Sequence, residues 1–336
     1  MLTVTCESPG HLVALDRPRP TRLPGEVLLR VKRVGVCGTD LHIFTGHQPY
    51  LAYPRVMGHE LSGLVEEADA GSGLQPGDAV YVMPYLSCGE CIACRQGKTN
   101  CCTRIQVLGV HRDGAFTEYL SVPRRFVGRA DGITLDQAAM LEFLAIGAHA
   151  VRRGEVRPGQ RVLVVGAGPI GLGVMLFAKL RGAVVTAIDG RKDRLAFARD
   201  HLGADSIVAL GDGDEAELSR QTGGEFFDLV FDATGNRQAM ERGFRFIAHG
   251  GRYVLVSIVQ GELSFSDPEF HKREATLLGS RNATIEDFET VMQAMREGQV
   301  PDAALATHRL ALADVPAGFP RLLDPGAGVI KALVEC

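Results

Sequence analysis

A glycine-rich turn between an apolar strand and a helix constrains the fold of this chain more than any other feature. The turn is Gly166-Ala167-Gly168-Pro169-Ile170-Gly171; the apolar run Arg161–Val165 precedes it and the helical segment Leu172–Leu180 follows. The first glycine permits the tight turn, the second lets a phosphate approach the backbone, and the third lets helix and strand pack closely. The phosphates of a dinucleotide would lie on the helix N-terminus, where free N–H groups favour an anion. The sequence therefore predicts a dinucleotide site at Gly166, Gly168, Pro169, Ile170 and Gly171.

An acidic residue ends the next predicted strand. The run Val184–Ile188 is apolar and β-branched, and Asp189 follows it. A carboxylate in that position accepts hydrogen bonds from the adenosine ribose and repels a 2′-phosphate, so NAD is predicted over NADP. Arg191 either softens that preference or is a solvated arginine of the first helical turn. The other predicted cofactor contacts are Arg194, Thr234 and Gly235.

Length and composition limit the possible classes of protein. A chain of 336 residues predicts two domains or one large one. The net charge of −4 argues against a dedicated nucleic-acid binder, and no apolar run approaches the length of a membrane span. The first residues lack the pattern of a signal peptide, so a cytoplasmic protein is predicted. In such a protein, eight cysteines indicate metal ligands or reactive thiols rather than disulfides.

The pattern of elements changes along the chain. Residues 1 to about 85 predict short strands and turns, whereas residues 155–280 alternate strand and helix, as a doubly wound parallel sheet requires. Further predicted elements are a strand over Gly114–Pro123, a helix over Leu135–Ala150, and a helix over Ile285–Glu297 with Thr284 as N-cap.

One cysteine and a His-Glu pair in the N-terminal part are a candidate catalytic zinc set. Cys37, His59 and Glu60 supply a thiolate, an imidazole and a carboxylate, and three ligands leave the open position that catalytic zinc needs. The alternative is a buried thiol and a histidine with structural hydrogen bonds. Asp40 is placed to orient the histidine. Thr39 and His42 are candidates for proton relay, or else a turn residue and a surface imidazole.

A second cysteine cluster predicts a closed, structural metal site. Cys88, Cys91 and Cys94 follow the spacing CxxCxxC, and the loop Arg95–Asn100 returns a fourth thiol, either Cys101 or Cys102. Four thiolates leave no open position, so the role is structural. An iron–sulfur cluster is the competing hypothesis.

Together these motifs resemble the zinc-containing medium-chain dehydrogenases of the sorbitol and threonine dehydrogenase branch, over nearly the whole chain. The resemblance implies a GroES-like, mostly-β catalytic domain (1–150 and 282–336), an inserted Rossmann domain (151–281), an active site in the cleft, and a homo-oligomer (dimer or tetramer). It selects Cys102 as the fourth structural ligand. It also adds Glu142 to the catalytic zinc site, because Leu141-Glu142-x-Leu144-Ala145 is similar to the family's Glu-Pro-Leu element, with Phe143 in place of the proline.

The resemblance is closer to bacterial sugar-acid dehydrogenases that oxidise the C5 hydroxyl of L-galactonate or L-gulonate. The stretches that carry it are Gly46–Tyr50, Thr99–Cys102, Leu108–His111, Phe265–Lys272 and Gly279–Thr284. It implies an NAD-dependent secondary-alcohol dehydrogenase in which zinc polarises the substrate oxygen and the proton leaves through Thr39, His42 or the cofactor ribose. The alternatives are a polyol, 2,3-diol or L-threonine dehydrogenase and, in another class, a non-catalytic zinc-stabilised NAD-binding protein.

A sugar-acid substrate requires a cation for its carboxylate. Arginine suits this task because its planar fork binds a carboxylate bidentately. Each candidate could instead form an ordinary ion pair. The candidates are Arg281 with Asn282, His111-Arg112 and His271-Lys272.

Overall fold

The computed structural model of this protein describes residues 1–48 and 51–336, which divide into two compact units. The first is Met1–Glu142 with Thr284–Cys336, and the second is Phe143–Ala283. The N-terminal part of the first unit ends at Glu142, whereas the sequence predicted this boundary at residue 150. The boundary thus falls at the start of the helix Leu141–Gly154 rather than near its end. Pro49 and Tyr50, which belong to a stretch that carries the sugar-acid resemblance, lie outside the described residues.

The first unit consists mainly of antiparallel strands around one apolar core. Its longest strand, Glu26–Val36, pairs on one side with Glu60–Glu67 and on the other with the C-terminal strand Lys331–Glu335. Apolar side chains along the long strand, such as Val27 and Leu29, are fully buried. The tail of the chain thus belongs to the same sheet as the N-terminal part. The strands of this unit are Leu2–Ser8, His11–Asp16, Glu26–Val36, Arg55–Val56, Glu60–Glu67, Ala79–Val82, Tyr85–Leu86, Gln106–Val107, Tyr119–Pro123, Val127–Arg129, Ala306–Ala311 and Lys331–Glu335.

The second unit contains the predicted doubly wound sheet. Its six described strands are all parallel to their neighbours. The next two strands along the chain lie on one side of Arg161–Val165 and the three later strands lie on the other, so the strand order reverses there. Ligands bind at such a reversal, outside the carboxyl ends of the strands. The spatial order is Ser206–Ala209, Val184–Asp189, Arg161–Val165, Phe227–Asp232, Ile247–Leu255, Thr276–Gly279.

Helices surround both sets of strands, and among the described residues none is long and apolar enough to cross a membrane. Two local predictions are corrected. The N-terminal region, predicted to contain only strands and turns, contains the helix Gly38–Phe44. Of the strand predicted over residues 114–123, only Tyr119–Pro123 forms. The described helices are Gly38–Phe44, Ile92–Arg95, Leu135–Ala139, Leu141–Gly154, Pro169–Leu180, Lys192–Leu202, Asp214–Gln221, Arg237–Gly243, Asp267–Lys272, Ile285–Arg296, Asp302–Leu305 and Val315–Gly318.

Candidate metal and cofactor sites

Three neighbouring strands position the first candidate site. The strand Glu26–Val36 ends one residue before Cys37, and its two antiparallel neighbours begin at Glu60 and at Lys331. In this register Glu60 lies opposite Gly35. Because both neighbours start where the central strand ends, these functional side chains meet at one edge of the sheet.

The predicted donors Cys37, His59 and Glu60 come together at this edge. A thiol sulfur, an imidazole nitrogen and a carboxylate oxygen lie within 4.8 Å of one another, with His59 and Glu60 buried. Asp40 connects the segment that contains Cys37 with the one that precedes His59. Its carboxylate accepts hydrogen bonds from the backbone N–H groups of Cys37 (2.9 Å) and Gly58 (3.1 Å). Its Oδ1 also lies 3.9 Å from Nδ1 of His59. That separation is too long for a hydrogen bond but short enough to favour one ring orientation electrostatically.

A buried ion pair that the sequence did not predict holds Glu60. Nζ of Lys331 donates to both carboxylate oxygens of Glu60 at 2.7 Å and to the carbonyl of Val36 at 3.1 Å. The two charged side chains are only 1% and 0% exposed. Burial alone would lower the pKa of Lys331, but the charges of Glu60 and Cys37 outweigh it and the pKa is raised. Gly35 provides the space, since a β-carbon there would lie 2.1 Å from Oε2 of Glu60.

Glu142 lies beside this set of donors rather than within it. Tyr85, which the sequence also did not single out, donates its hydroxyl to Oε1 of Glu142. Oε2 is buried and has no hydrogen-bond partner among the described residues. Burial raises the pKa of Glu142 to about 7, and the charge of His59 offsets this only in part. One oxygen of Glu142 is therefore fixed while the other is available.

The donor set fits a zinc ion. Thiolate, imidazole and carboxylate are the ligand types that zinc takes in proteins, and catalytic sites use three of them. Oε2 of Glu142, beside these donors, is a buried polar atom without a hydrogen-bond partner in the part of the chain that the structure describes. Such atoms are rare in folded proteins and indicate a missing ligand, ion or water.

Thr39 and His42 lie on the helix Gly38–Phe44, directly after Cys37. Thr39 is half-buried and His42 is exposed. Their part in proton release stays a prediction, and the exposure of His42 allows it to exchange a proton with solvent.

The second metal cluster contains Cys88, Cys91, Cys94 and Cys102, whose sulfur atoms lie within 4.8 Å of one another. Cys101 is exposed and lies outside the cluster. The sulfur of Cys94 is 3.5 Å from that of Cys91 and 4.0 Å from that of Cys88. Tetrahedral zinc with Zn–S bonds of about 2.3 Å spaces its thiolates at about 3.8 Å. This spacing favours a single ion over an iron–sulfur cluster, whose several irons separate the thiolates further.

Backbone amides donate hydrogen bonds to sulfur atoms of this cluster. The N–H groups of Cys88 and Arg104 donate to the sulfur of Cys102 at 3.2 and 3.4 Å, and the N–H of Cys91 donates to that of Cys88 at 3.4 Å. Backbone hydrogen bonds hold the pKa of Cys88 and of Cys91 below the usual range. Burial raises the pKa of Cys94 to about 11. The thiolate form that a metal ligand needs is therefore favoured at two of the four cysteines.

The glycine turn has the close approaches that a phosphate-binding loop needs. Gly166 has φ +96°, and a β-carbon on Gly171 would lie 1.8 Å from the carbonyl oxygen of Gly166. Gly168 is the N-cap of the helix Pro169–Leu180, and Pro169 is its first residue. Ile170 occupies the next position of the same turn. The free N–H groups of this helix end therefore face the turn, as anion binding requires.

The other predicted cofactor residues surround the turn. Both carboxylate oxygens of Asp189 accept backbone hydrogen bonds, from Ala167 at 2.6 Å and Arg191 at 2.7 Å. Arg194 is half-buried, and its Nη1 would lie 3.3 Å from a β-carbon on Gly168. Burial lowers the pKa of this guanidinium, and it has no ion-pair partner in the described chain. An anion at the turn would supply that partner.

Thr234 and Gly235 follow the neighbouring strand Phe227–Asp232. The N–H and hydroxyl of Thr234 both donate to Oδ1 of Asp232, at 2.9 and 2.7 Å. Gly235 has φ +62°, so the chain turns back sharply at this point. This loop and the glycine turn thus follow two adjacent parallel strands, at the point where the strand order of the sheet reverses.

The residues predicted to bind a substrate carboxylate are divided between the two units, and none is a donor of either metal cluster. Arg281 and Asn282 belong to the second unit, where Asn282 has φ +51°. The other four candidates, which are all exposed, are His111 and Arg112 in the first unit and His271 and Lys272 in the second.

Comparisons with known proteins identify the family of this chain. Residues 23–131 match the family model described as alcohol dehydrogenase GroES-like domain, and residues 169–297 match the model described as zinc-binding dehydrogenase. The first match contains Cys37, His59, Glu60 and the four-cysteine cluster. The fold class predicted from the sequence, a GroES-like domain with a Rossmann domain, is confirmed.

Individual relatives are similar over almost their full length. The L-galactonate-5-dehydrogenase of Escherichia coli K12 is 44% identical over 335 residues, which cover 99% of this chain and 98% of that protein. The 2-dehydro-3-deoxy-L-galactonate 5-dehydrogenase of Pseudoalteromonas atlantica is 33% identical, covering 97% of this chain and 94% of the other. An alcohol dehydrogenase of E. coli CFT073, solved with NADH, superimposes with a TM-score of 0.93 at 30% identity, covering 100% and 99%.

Proposed function

This chain belongs to the zinc-containing medium-chain dehydrogenases, and we propose that it oxidises a secondary hydroxyl of a sugar acid of the L-galactonate or L-gulonate type, with NAD as the hydride acceptor. The observation that carries the proposal is the set Cys37, His59 and Glu60, a three-donor site with an open position. A non-catalytic protein would need only the closed four-cysteine cluster.

The chain's own residues prepare the site for this reaction. Cys37, His59 and Glu60 would hold zinc, which when bound supplies a Lewis acid that favours ionisation of the substrate hydroxyl. Lys331 fixes the carboxylate of Glu60, and Asp40 fixes the loop of His59. The glycine turn positions the cofactor, and the hydride chemistry belongs to the cofactor itself. The released proton would pass through Thr39 or His42 to solvent.

We further propose two zinc ions per chain and a cytoplasmic homo-oligomer. The two clusters that fit zinc support the first point. All eight cysteines are free thiols, which is typical of proteins from a reducing compartment. The oligomeric state follows from the family resemblance alone, and light scattering of the purified protein tests it.

Substrate preference tests the proposal most simply. L-Galactonate and L-gulonate differ from galactitol and sorbitol only in carrying a carboxylate in place of a terminal hydroxymethyl group, so the pairs are matched controls. A charge-assisted hydrogen bond contributes about 1.5–3 kcal/mol, so kcat/KM for each acid should exceed that of its polyol about ten- to hundredfold. Arg281→Ala should reduce this ratio if Arg281 receives the carboxylate. Equal or better turnover of the polyols by the wild-type enzyme would instead favour a polyol dehydrogenase.

Asp189→Ala tests the preference for NAD. The substitution removes the ribose acceptor and the charge that repels a 2′-phosphate, while Arg191 and Arg194 remain nearby. The ratio of kcat/KM with NAD to that with NADP should therefore fall about ten- to hundredfold. Arg237→Gln, an exposed change in the same unit, should leave the ratio unchanged. A wild-type enzyme that already prefers NADP would contradict the role given to Asp189.

A further inference from the structure

A cavity in the first unit is lined by arginines. Its volume is about 480 Å³, within the range typical of small-molecule sites. Arg17, Arg55 and Arg112 line it together with one carboxylate, that of Asp113. None of the donors in the two metal clusters lines this cavity. It is therefore distinct from the metal sites, although two of the residues predicted to bind a substrate carboxylate, His111 and Arg112, line it.

Positive charge in the cavity exceeds negative charge. Arg17 and Arg55 share the single carboxylate of Asp113, and each reaches one of its oxygens at 3.3 Å. That carboxylate also accepts a hydrogen bond from the backbone N–H of Val56 at 3.1 Å. The guanidinium of Arg112 has no ion-pair partner in the described chain. Three guanidinium groups and one carboxylate thus line the cavity.

The least exposed of these arginines has an unsatisfied donor. The side chain of Arg55 is 18% exposed, and its Nε is buried without a hydrogen-bond partner among the residues that the structure describes. A buried N–H group with no partner costs about 1–3 kcal/mol, and more when the group is charged. The repulsion between neighbouring guanidinium groups adds to this cost. An anion in the cavity would reduce both.

We propose that this cavity binds a small multivalent anion, with Arg17, Arg55 and Arg112 as its partners. One guanidinium group can donate two parallel hydrogen bonds to two oxygens of a phosphate or a carboxylate. The ligands that fit are therefore phosphate groups and polycarboxylates. A monovalent anion would not balance the charge, because two positive charges remain after Asp113 is counted. The site contains no residue of the glycine turn or of the metal clusters, so anion binding can be measured apart from the proposed dehydrogenase reaction.

Calorimetric titration of the purified full-length protein tests this proposal. The probes are inorganic phosphate and citrate at constant ionic strength, without NAD or sugar acid, and chloride is the control for non-specific screening. Saturable binding of either probe is expected. In Arg112→Gln its affinity should fall about tenfold, because one charge-assisted hydrogen bond is lost. Arg237→Gln, which removes an exposed arginine from the other unit, should leave the affinity unchanged.

A variant that is expected to bind the anion more tightly separates an effect on the site from an effect on folding. Asp113→Asn keeps an oxygen that can accept the N–H of Val56 but removes the competing negative charge. Phosphate should therefore bind about tenfold more tightly to this variant. Binding no stronger than that of chloride would overturn the proposal. So would equal losses of affinity in Arg112→Gln and Arg237→Gln.

Discussion

Replacing Lys331 with methionine is expected to lower the free energy of unfolding of the first unit by about 3–5 kcal/mol. Methionine has nearly the length of the lysine side chain, so the loss is mainly electrostatic. The carboxylate of Glu60, which is 0% exposed, would lose a cation that contacts both of its oxygens at 2.7 Å. Chelating the metal should enlarge the effect, because the zinc proposed for this site would supply the other positive charge beside this carboxylate.

Arg309→Met is the matched control for this experiment. It also removes a cation from the same sheet, but Arg309 is 45% exposed and its partners are also partly exposed, Glu335 at 45% and Asp136 at 27%. Exposed ion pairs contribute about 0–1 kcal/mol. Denaturant unfolding followed by circular dichroism measures both variants. Adding Glu60→Gln to Lys331→Met should recover part of the loss, since no unpaired charge then stays buried. Equal midpoints for Lys331→Met and Arg309→Met would contradict this account of the pair.

Cys37→Ser is expected to reduce kcat about a thousandfold or more while the protein stays folded. Loss of one of three metal ligands removes a Lewis acid that contributes several kcal/mol, and about 4 kcal/mol corresponds to a thousandfold. Cys37 is also the N-cap of the helix Gly38–Phe44, a position at which serine is favourable. The melting temperature should therefore change little. Steady-state NADH formation and thermal unfolding measure the two effects.

Two further serine variants separate the metal sites. Cys91→Ser removes a donor of the closed cluster and should lower thermal stability, since a structural metal contributes folding free energy. Cys101→Ser changes an exposed thiol next to that cluster and should alter neither stability nor turnover. Near-normal kcat in Cys37→Ser would show that its thiol does not belong to the catalytic site.

Features coded within a few residues could be predicted from the sequence. The glycine turn is specified by one strand, one turn and one helix, and the backbone contact at Gly171 explains why no other residue fits. The four-cysteine cluster is similarly local, although spacing alone left Cys101 and Cys102 as alternatives. The structure brings Cys102 into the cluster because it is buried there, while Cys101 faces solvent.

Features that depend on strand register could not be predicted in this way. Lys331 and Glu60 are 271 residues apart, and they meet only because two strands pair with opposite sides of Glu26–Val36. Tyr85 and Glu142 are likewise 57 residues apart. A buried lysine in an apolar strand is a signal, since lysine is rarely buried without a partner. The sequence does not state which carboxylate that partner is.

Short helices are also weakly encoded. Gly38–Phe44 has only seven residues, and strand patterns on both sides dominate the local sequence. Its formation depends on Asp40, whose carboxylate binds the backbone N–H groups of Cys37 and of Gly58, the latter in a distant loop. Tertiary contacts thus contribute to the structure of the segment that carries Cys37.

The zinc content of the purified protein, measured by mass spectrometry, tests most directly whether Cys37, His59 and Glu60 form the catalytic metal site. The account predicts two zinc ions per chain in the wild-type protein. It predicts one in Cys37→Ser, with NADH formation lost and the fold retained. A wild-type protein that oxidises its substrate with a single zinc, or a Cys37→Ser variant that keeps both zinc ions and full activity, would contradict it.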